Sequence, residues 1–375
     1  MKTYKIAVIP GDGIGPEVIG ETIKVLEKSG KKFGFSFEWE KYPYGAGHYL
    51  ATGEVIPEEA MEEMSKCDAM LLGAIGDPRV KPGILEQGIL LAFRFRFDQY
   101  VNLRPAFSLP KVHTPVDLKG AKMDSVVVRE NTEDLYMCIG GTTETGVLEL
   151  PVDVSRGEYE LKGMVSLRTD PGYPFAAQAA INSRPGVERI TRYACELAKK
   201  RGEDTVTVVS KSNAVSALYG FFEEKAKRVM AEEYPGLKYA MVNVDALCYH
   251  LVRNPAAYGV LLCPNLFGDI ISDLQAGLAG GLGTAAGGNI GDGLSMFEPV
   301  HGSAPDIAGT GRSNPVAAIL SGALMLEHLG EQEACKAVNC AVSDFLENAA
   351  ENELPFEFGG TAAFDQVGES IRKYI

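Results

Sequence analysis

Alternating strand and helix patterns in the first third of the sequence constrain the fold more than any other feature. The apolar run Ile6–Ile9 predicts a buried strand, and a helix is predicted next, over residues 16–29. Proline and glutamate in the first helical turn, Pro16 and Glu17, both favour that helix start. Such alternation is typical of an α/β architecture. The further predicted elements are strands over Phe35–Glu40, Ala69–Leu72, Val101–Pro105, Val126–Glu130 and Thr205–Ser210, and helices over Glu58–Lys66, Ile84–Phe97 and Val187–Lys200.

The composition excludes several classes of partner and site. The chain has 375 residues, enough for two domains or for one large α/β unit. Its net charge of −14 argues against non-specific binding to nucleic acid or to anionic membranes. Apolar runs are too short for a membrane span, the first residues lack a signal-peptide pattern, and the seven cysteines form no Cys-x-x-Cys motif. We therefore expect a cytoplasmic protein without a disulfide framework or a zinc site.

Three aspartates are the strongest candidates for a metal site. Asp269 and Asp273 lie four residues apart in an otherwise apolar predicted helix, so their carboxylates share one face. Burying two carboxylates on a largely apolar helix is costly unless another group pairs with them. With Asp245, the pair forms an oxygen-only set of donors that suits Mg²⁺ or Mn²⁺ better than zinc. The alternative is that Asp269 caps the helix start and Asp273 is simply solvated.

Three arginines are candidates for binding an anionic substrate. Arg94, Arg104 and Arg129 carry planar guanidinium groups, which bind carboxylates through two parallel hydrogen bonds. A substrate with two carboxylates would use all three, whereas any one of them alone could instead form a surface ion pair. Arg96 does not belong to a comparable pattern, and we interpret it as a surface residue or as one that assists the other arginines.

The glycine-rich segment Gly11–Gly15 could be mistaken for a dinucleotide-binding fingerprint. Its spacing is G-x-G-x-G rather than G-x-G-x-x-G, and a proline opens the following helix. We interpret it as a tight turn that brings backbone near the active cleft.

Four motifs and the three aspartates carry a resemblance to a known family. The motifs are Phe93–Pro105, Val128–Tyr136, Ser210–Asn213 and Phe297–Gly309. In this order and spacing they resemble the metal-dependent β-decarboxylating dehydrogenases, which include 3-isopropylmalate, isocitrate, homoisocitrate, D-malate and tartrate dehydrogenases. The resemblance extends from Gly11–Glu17 to the C-terminal helices.

The resemblance implies an α/β, isopropylmalate dehydrogenase-like two-domain fold with a mixed sheet that is not a Rossmann fold. Residues 1–100 and 280–375 would form a large domain that carries the NAD adenosine loop. Residues 101–279 would form a small central domain with the dimer interface. The segment 142–183 is longer than the arm of smaller relatives, and it could extend a dimer clasp, cover the site, or do neither.

The resemblance also implies catalytic roles. Lys211 would take part in removing the hydroxyl proton of the substrate, and Tyr136 would deliver a proton after decarboxylation. Ile14 and Asn213 would lie near the nicotinamide of the cofactor. In the family the lysine and the first aspartate come from the neighbouring subunit, so Lys211 and Asp245 would serve the partner's site in a homodimer. Asp245 would contact both the metal and the substrate.

The family's adenosine loop is matched by one set of residues. They are Glu298, His301, Gly302, Ala304, Asp306, Ile307 and Asn314. A carboxylate at Asp306 accepts hydrogen bonds from ribose hydroxyls and repels a 2′-phosphate, so NAD is favoured over NADP. The alternative for Asp306 is an ordinary loop aspartate. His301 is expected to stack on the adenine.

Leu90 is the residue most informative about the substrate. It lies four residues before Arg94 in a predicted helix, so an apolar side chain should border the carboxylate site. Such a side chain cannot satisfy a further carboxylate, which disfavours isocitrate. Ile89, Leu90 and Leu91 could form a pocket for an isopropyl group, as in isopropylmalate dehydrogenases. Residues 93–94 and 97–105 instead look most like D-malate and tartrate dehydrogenases. The longer motif has slightly more weight, so we predict activity on D-malate, with 3-isopropylmalate close behind. Isocitrate or homoisocitrate dehydrogenase is the alternative. An inactive regulatory subunit is another, but it would lack an aspartate, the lysine or the tyrosine, and all are present.

Overall fold

The structure, a computed structural model, describes residues 2–375. The strands are β1 (Lys2–Gly11), β2 (Phe35–Lys41), β3 (Ala69–Ala74), β4 (Val101–Phe107), β5 (Asp124–Glu130), β6 (Gly140–Thr143), β7 (Val147–Arg156), β8 (Tyr159–Arg168), β9 (Phe175–Gln178), β10 (Thr205–Ser210), β11 (Lys238–Asn243), β12 (Val260–Cys263), β13 (Ala286–Ile290) and β14 (Met296–Pro299). The α-helices are α1 (Gly15–Phe33), α2 (Ala46–Thr52), α3 (Glu58–Met64), α4 (Ala92–Arg96), α5 (Arg184–Arg201), α6 (Ser216–Glu233), α7 (Val244–Arg253), α8 (Asn265–Ala279), α9 (Val316–His328), α10 (Gln332–Asn348) and α11 (Phe364–Lys373). The predicted strands and helices of the sequence are all present, with ends that differ by a few residues.

One predicted helix has a different geometry from the expectation. The segment predicted over Ile84–Phe97 begins as a π-helical turn, Glu86–Leu91, and continues as α4. The wider π turn changes the angular spacing of side chains before α4. Leu90 nevertheless lines the same pocket as Arg94.

A ten-stranded sheet forms the centre of the molecule. Its strand order is β11-β10-β12-β5-β4-β13-β14-β3-β1-β2. The strands at each end run parallel to their neighbours, whereas β4 pairs antiparallel with β5 and β13, and β13 pairs antiparallel with β14. The direction therefore reverses in the middle of the sheet, which confirms the predicted mixed α/β fold.

Helices pack on the sheet, and the buried apolar side chains form several separate clusters. One cluster joins both chain ends, because α1, α9, α10 and α11 pack together around side chains such as Leu26, Leu326 and Phe345. Another belongs to the middle of the chain, where α5 and α6 pack on strands through Ile190 and Phe222. No helix within residues 2–375 is long and apolar enough to cross a membrane.

The segment 142–183 folds mainly as a β-hairpin, which we call the arm. Strands β7 and β8 pair antiparallel from Val147–Arg168 to Arg156–Tyr159, and β6 pairs with β9 beside them. Leu150, Val152 and Val154 are buried while the residues between them are exposed, because successive side chains of a strand point to opposite faces. The arm is therefore an ordered element with its own small apolar core.

Candidate active site

The three predicted anion-binding arginines lie together. Asn102 is opposite Arg129 in the antiparallel β4–β5 pair, so Arg104, two residues further, projects from the same sheet face as Arg129. Arg94 is supplied by α4 and is 7% exposed, compared with 11% for Arg104 and 1% for Arg129. Gly268 gives Arg129 its room, because a Cβ there would come within 2.5 Å of the arginine Cγ.

These guanidinium groups are crowded and incompletely paired. Burial, and then repulsion from Arg129, lowers the pKa of Arg94 to about 10. The same two causes lower the pKa of Arg104. Nε of Arg94 and Nη2 of Arg129 are buried and have no hydrogen-bond partner within residues 2–375. Buried donors of this kind almost always have a partner in a working protein, so the cluster suits an anionic ligand.

Asp269 and Asp273 project from one face of α8 toward the arginines. Nη1 of Arg104 lies 3.6 Å from an oxygen of Asp269 and 3.4 Å from one of Asp273, and Arg129 also pairs with Asp269. Because α8 begins at Asn265, Asp269 is in its second turn, and the alternative that it caps the helix is wrong.

The two carboxylates differ in their electrostatics. Burial opposes ionisation of Asp269, but Arg129 and Arg104 outweigh it and hold its pKa below the usual value. Burial raises the pKa of Asp273. Oxygen donors that stay partly exposed, 34% and 57%, fit a hard divalent cation. No group of three or more acidic, histidine or cysteine side chains within residues 2–375 is arranged to hold a metal, so Asp269 and Asp273 have no third ligand of these types beside them in the described chain.

Tyr136 is in direct contact with this cluster. Its hydroxyl donates a hydrogen bond to Asp269, and the guanidinium of Arg129 lies 4.8 Å from its ring centre. Burial, together with the bond to Asp269, raises the pKa of Tyr136. The phenol therefore stays protonated and can act as a proton donor.

Lys211 and Asp245 form a separate pair. Lys211 follows β10, Asp245 lies at the start of α7, and Nζ is 2.7 Å from the carboxylate. The hydrogen bond from Lys211 lowers the pKa of Asp245, which is 67% exposed. Within residues 2–375 neither residue hydrogen-bonds or forms an ion pair with the arginines or with Asp269. Asn213, close to Lys211, is also exposed to solvent.

A cavity of about 140 Å³ adjoins the arginines. Leu90, Arg94, Arg104, Glu298 and Gly302 line it. The lining also includes large apolar residues that were not predicted, such as Ile75 after β3 and Val300 after β14. Their only signal in the sequence is a position just after a buried strand. The cavity thus combines positive charge with an apolar wall.

A second cavity, of about 300 Å³, contains most of the predicted cofactor residues. The predicted residues that line it are Ile14, His301, Ala304, Ile307 and Asn314. His301 also lines the smaller cavity, so the two are adjacent. Burial lowers the pKa of His301, which keeps the ring neutral. Asp306 is exposed on the loop between Ala304 and Ile307.

Several residues that line this cavity were not predicted from the sequence. Arg312 lies over the ring of Phe356 at 5.0 Å, and Glu357 accepts hydrogen bonds from Gly283 and Asn314. Phe356 and Glu357 are about fifty residues from the loop motif, and no local pattern connects them to it. Only the packing of the C-terminal segment brings them there.

The glycine-rich turn Gly11–Gly15 packs against the loop that contains Ser303 and Gly309. This agrees with the prediction of a tight turn near the cleft. The backbone N–H of Ile14 donates to the carbonyl of Ser303 at 2.8 Å. A Cβ at Gly13, where φ is +56°, would lie 1.9 Å from that same oxygen. Glu17 accepts a hydrogen bond from the backbone of Gly309 at 2.7 Å. The turn therefore contacts the loop through backbone atoms, and the side chain of Glu17 in α1 adds a further contact.

Comparison with known proteins finds relatives that match nearly the whole chain. A profile described as "Isocitrate/isopropylmalate dehydrogenase" matches residues 5–369. The 3-isopropylmalate dehydrogenase of Thermobifida fusca is 42% identical over 378 residues, which cover 100% of this chain and 98% of that protein. The one from Bifidobacterium longum is 43% identical over 374 residues, with 99% and 98% covered.

A solved structure is also similar over its whole length. The isocitrate dehydrogenase of Methylococcus capsulatus superposes with a TM-score of 0.83 at 32% identity, and 99% of each chain is covered. The family profile and these relatives span nearly the entire sequence. The chain therefore belongs to the isocitrate/isopropylmalate dehydrogenase family.

Proposed function

We propose that the protein oxidises and decarboxylates 3-isopropylmalate with NAD as the hydride acceptor. Family membership makes it an NAD-dependent decarboxylating dehydrogenase that uses Mg²⁺ or Mn²⁺. The substrate is the open question, and the observation that carries our choice is the apolar wall of the small cavity. Leu90, Ile75 and Val300 line it beside Arg94 and Arg104.

That wall favours an apolar substituent at C3 of a (2R)-malate-type acid. An alkyl group is desolvated there at a gain, whereas a third carboxylate would be buried without a partner. The sequence slightly favoured D-malate, whose C3 carries only hydrogens and would leave the wall unfilled. The relatives named 3-isopropylmalate dehydrogenase support the larger substituent. D-Malate and tartrate then become poorer substrates of the same site.

The chain's residues account for binding and proton transfer. Arg94, Arg104 and Arg129 hold the two carboxylates, and their unpaired donors receive partners when the acid binds. Asp269 and Asp273, with Asp245 of the partner subunit, would hold the divalent ion. When bound, that ion supplies Lewis acidity that favours loss of the hydroxyl proton and polarises the forming carbonyl.

The proposed reaction changes bonds at C2 of the substrate first and at C3 second. Lys211 of the partner subunit would accept the hydroxyl proton through its relay, and NAD, when bound, would accept the hydride of C2. The bond from C3 to its carboxylate then breaks, and CO₂ leaves. Tyr136, which is held protonated beside Asp269, donates a proton to C3. One hydride and one CO₂ leave the substrate in each turnover.

We infer that the larger cavity takes the adenosine half of NAD. Ala304, Ile307 and the neutral ring of His301 offer apolar contacts for the base, and Ile14, which lines the same cavity, would lie near the nicotinamide. Asp306 is exposed at the rim, where a carboxylate accepts bonds from ribose hydroxyls and repels a 2′-phosphate.

We further propose a homodimer with shared active sites, built from the two domains expected from sequence. Large apolar side chains are exposed on and next to α7 and α8, at Tyr249, Val252 and Ile270, with fractions of 60%, 50% and 52%. Large apolar side chains exposed on two neighbouring helices are typical of an interface. Asp245 lies on α7 with Tyr249 and Val252. A dimer interface at α7 would bring Asp245 close to the partner's active site, as its proposed role requires.

The test is a screen of NAD reduction with Mn²⁺ against 3-isopropylmalate, D-malate, tartrate, isocitrate and homoisocitrate. We expect the highest kcat/KM for 3-isopropylmalate. Because each methylene in an apolar pocket contributes only about 1–3 kcal/mol of discrimination, D-malate should still react slowly. If isocitrate were the best substrate, the assignment of the apolar wall to a C3 alkyl group would be wrong.

A further inference from the structure

The turn of the arm folds back onto the elements that carry the active site. In this turn, Arg156–Tyr159, the backbone N–H of Gly157 donates to Asp98 at 3.0 Å. The guanidinium of Arg156 donates to the backbone carbonyl of Thr132 at 2.9 Å. The hydroxyl of Tyr159 donates to Glu133 at 2.6 Å. The arm therefore contacts two different elements within a few residues.

The first of these elements is the helix that carries Arg94. Arg156 lies 4.4 Å from the ring centre of Phe95, the neighbour of Arg94 in α4. Asp98, just after α4, forms a two-pronged ion pair with Arg189 at 2.7 and 2.9 Å. The end of α4 is thus fixed both by the arm and by α5.

The second element is the loop that leads to Tyr136. The carboxylate of Glu133 is fully buried and accepts hydrogen bonds from the arm and from Ser183. Its backbone carbonyl accepts from Asn265 at 3.0 Å, and the next residue, Asp134, accepts from the backbone of Leu266 at 3.0 Å. The loop is therefore held between the arm and the start of α8, which carries Asp269.

Strain and burial make this loop sensitive to its supports. Asp134 has a φ of +63°, a conformation that an aspartate keeps only where its surroundings hold it. A buried carboxylate that loses one hydrogen-bond donor is costly, because the lost partner is not replaced by water. Without the hydroxyl of Tyr159, Glu133 would be left with Ser183 alone. A shift of the loop would move Tyr136 relative to Arg129 and Asp269.

We propose that Tyr159 and Arg156 are positioning residues, and that the turn of the arm holds the Arg94 helix against the Tyr136 loop in the geometry that the reaction needs. This role assigns the long arm a function within its own chain. It rests on the proposed function, because Arg94 and Tyr136 take their roles from that reaction. Displacements of about 1 Å at a reacting group can lower rates by up to about 10²-fold.

The first test compares Tyr159→Phe with Tyr173→Phe. Tyr173 lies in the same arm segment, is 64% exposed, and serves as the matched control. We expect Tyr159→Phe to lower kcat by about tenfold while the KM for NAD stays within about twofold, because the cofactor cavity lies away from the arm. Tyr173→Phe should leave both unchanged. Full kcat in Tyr159→Phe, or a loss no greater than its loss of folded protein, overturns the proposal.

A double-mutant cycle tests whether Tyr159 acts through Glu133. If it does, Glu133→Gln combined with Tyr159→Phe should lower kcat no further than Glu133→Gln alone. Multiplied losses in the double variant would mean that the two residues act independently, which contradicts the proposed connection.

A measurement that needs no turnover separates this proposal from the assignment of the substrate. Amide hydrogen exchange over residues 95–99 and 131–137 should be faster in Tyr159→Phe than in the unmodified protein, but not in Tyr173→Phe. Unchanged exchange overturns the positioning role whatever the substrate. If the unmodified protein reacted with none of the five acids, the proposed function would fail, while faster exchange would still support the arm as the support of the loop.

Discussion

Two sets of charged residues in this molecule differ in how complete they are within one chain. Arg94, Arg104, Arg129 and Asp269 form a buried cluster whose members contact one another or lie around one cavity. Lys211 and Asp245, in contrast, contact each other at 2.7 Å, are partly or largely exposed, and reach no member of that cluster.

This difference indicates which part of the proposed active site one chain supplies and which part its partner would supply. Strands β10, β11 and β12 run parallel, so Lys211, Asp245 and the start of α8 all follow carboxyl ends of strands at one edge of the sheet. A buried arginine cluster with unpaired donors is suited to bind an anion. An exposed ion pair at the same edge, beside exposed apolar side chains, is suited to complete a site on another subunit.

The largest effect is expected at Asp269. Asp269→Asn removes a charge from the cluster with little change of shape, so metal binding and the alignment of Tyr136 should both be lost. We expect kcat to fall by about 10³-fold or more, since Lewis-acid stabilisation contributes several kcal/mol. Steady-state kinetics with Mn²⁺ measure it, and Asp344→Asn, at an exposed aspartate in α10, is the control. Undiminished activity after thorough chelation would disprove the metal site.

A complementation experiment addresses the separation of the two sets directly. Lys211→Met and Asp269→Asn subunits should each be inactive alone and should recover activity when mixed and re-annealed. A hybrid dimer has one site free of both changes, so random mixing should restore about a quarter of the normal activity. Inactive dimers that mass spectrometry shows to be mixed would mean that each chain completes its own site.

The cofactor cavity should respond to a change at its rim. Asp306→Lys combined with Ile307→Tyr should shift preference toward NADP, because the repulsion of a 2′-phosphate is replaced by attraction. We expect the ratio of kcat/KM for NAD over NADP to fall by at least about tenfold, and Asp292→Lys is the charge-matched control. A preference of the unmodified protein for NADP would contradict the role of Asp306.

The smallest effect is expected at the apolar wall. Leu90→Ala removes contact area beside Arg94 and should lower kcat/KM for 3-isopropylmalate by about tenfold. D-Malate, which does not reach the wall, should change by less than about threefold. Equal losses for both acids would show that Leu90 supports the fold of the pocket rather than selecting the substrate.

Local patterns in the sequence predicted the strands and helices of the first third, several later ones and the shared face of the two aspartates, whereas the mixed sheet was implied only by the family resemblance. The four-residue spacing of Asp269 and Asp273 fixes a shared helix face, and the β-branched run Thr205–Ser210 is the strand that was predicted. In both cases the information lies within a few neighbouring residues, where backbone geometry alone relates one side chain to the next.

Contacts between distant segments could not be predicted in this way. Phe356 and Arg312 meet at the cofactor cavity, and Tyr159 meets Glu133, only because the chain folds back on itself. The π-helical turn Glu86–Leu91 was also missed, since its residues fit an ordinary helix equally well. Such features depend on tertiary packing, which no local periodicity encodes.

The central claim is that one chain supplies the arginine cluster and two aspartates while its partner supplies Asp245. Anomalous diffraction from crystals grown with Mn²⁺ and 3-isopropylmalate tests it most directly. We predict one manganese per chain, bound by Asp269 and Asp273 of that chain and by Asp245 of the partner subunit, with the substrate carboxylates on Arg94, Arg104 and Arg129. Manganese held by the carboxylates of a single chain, or located away from Asp269, would contradict this account.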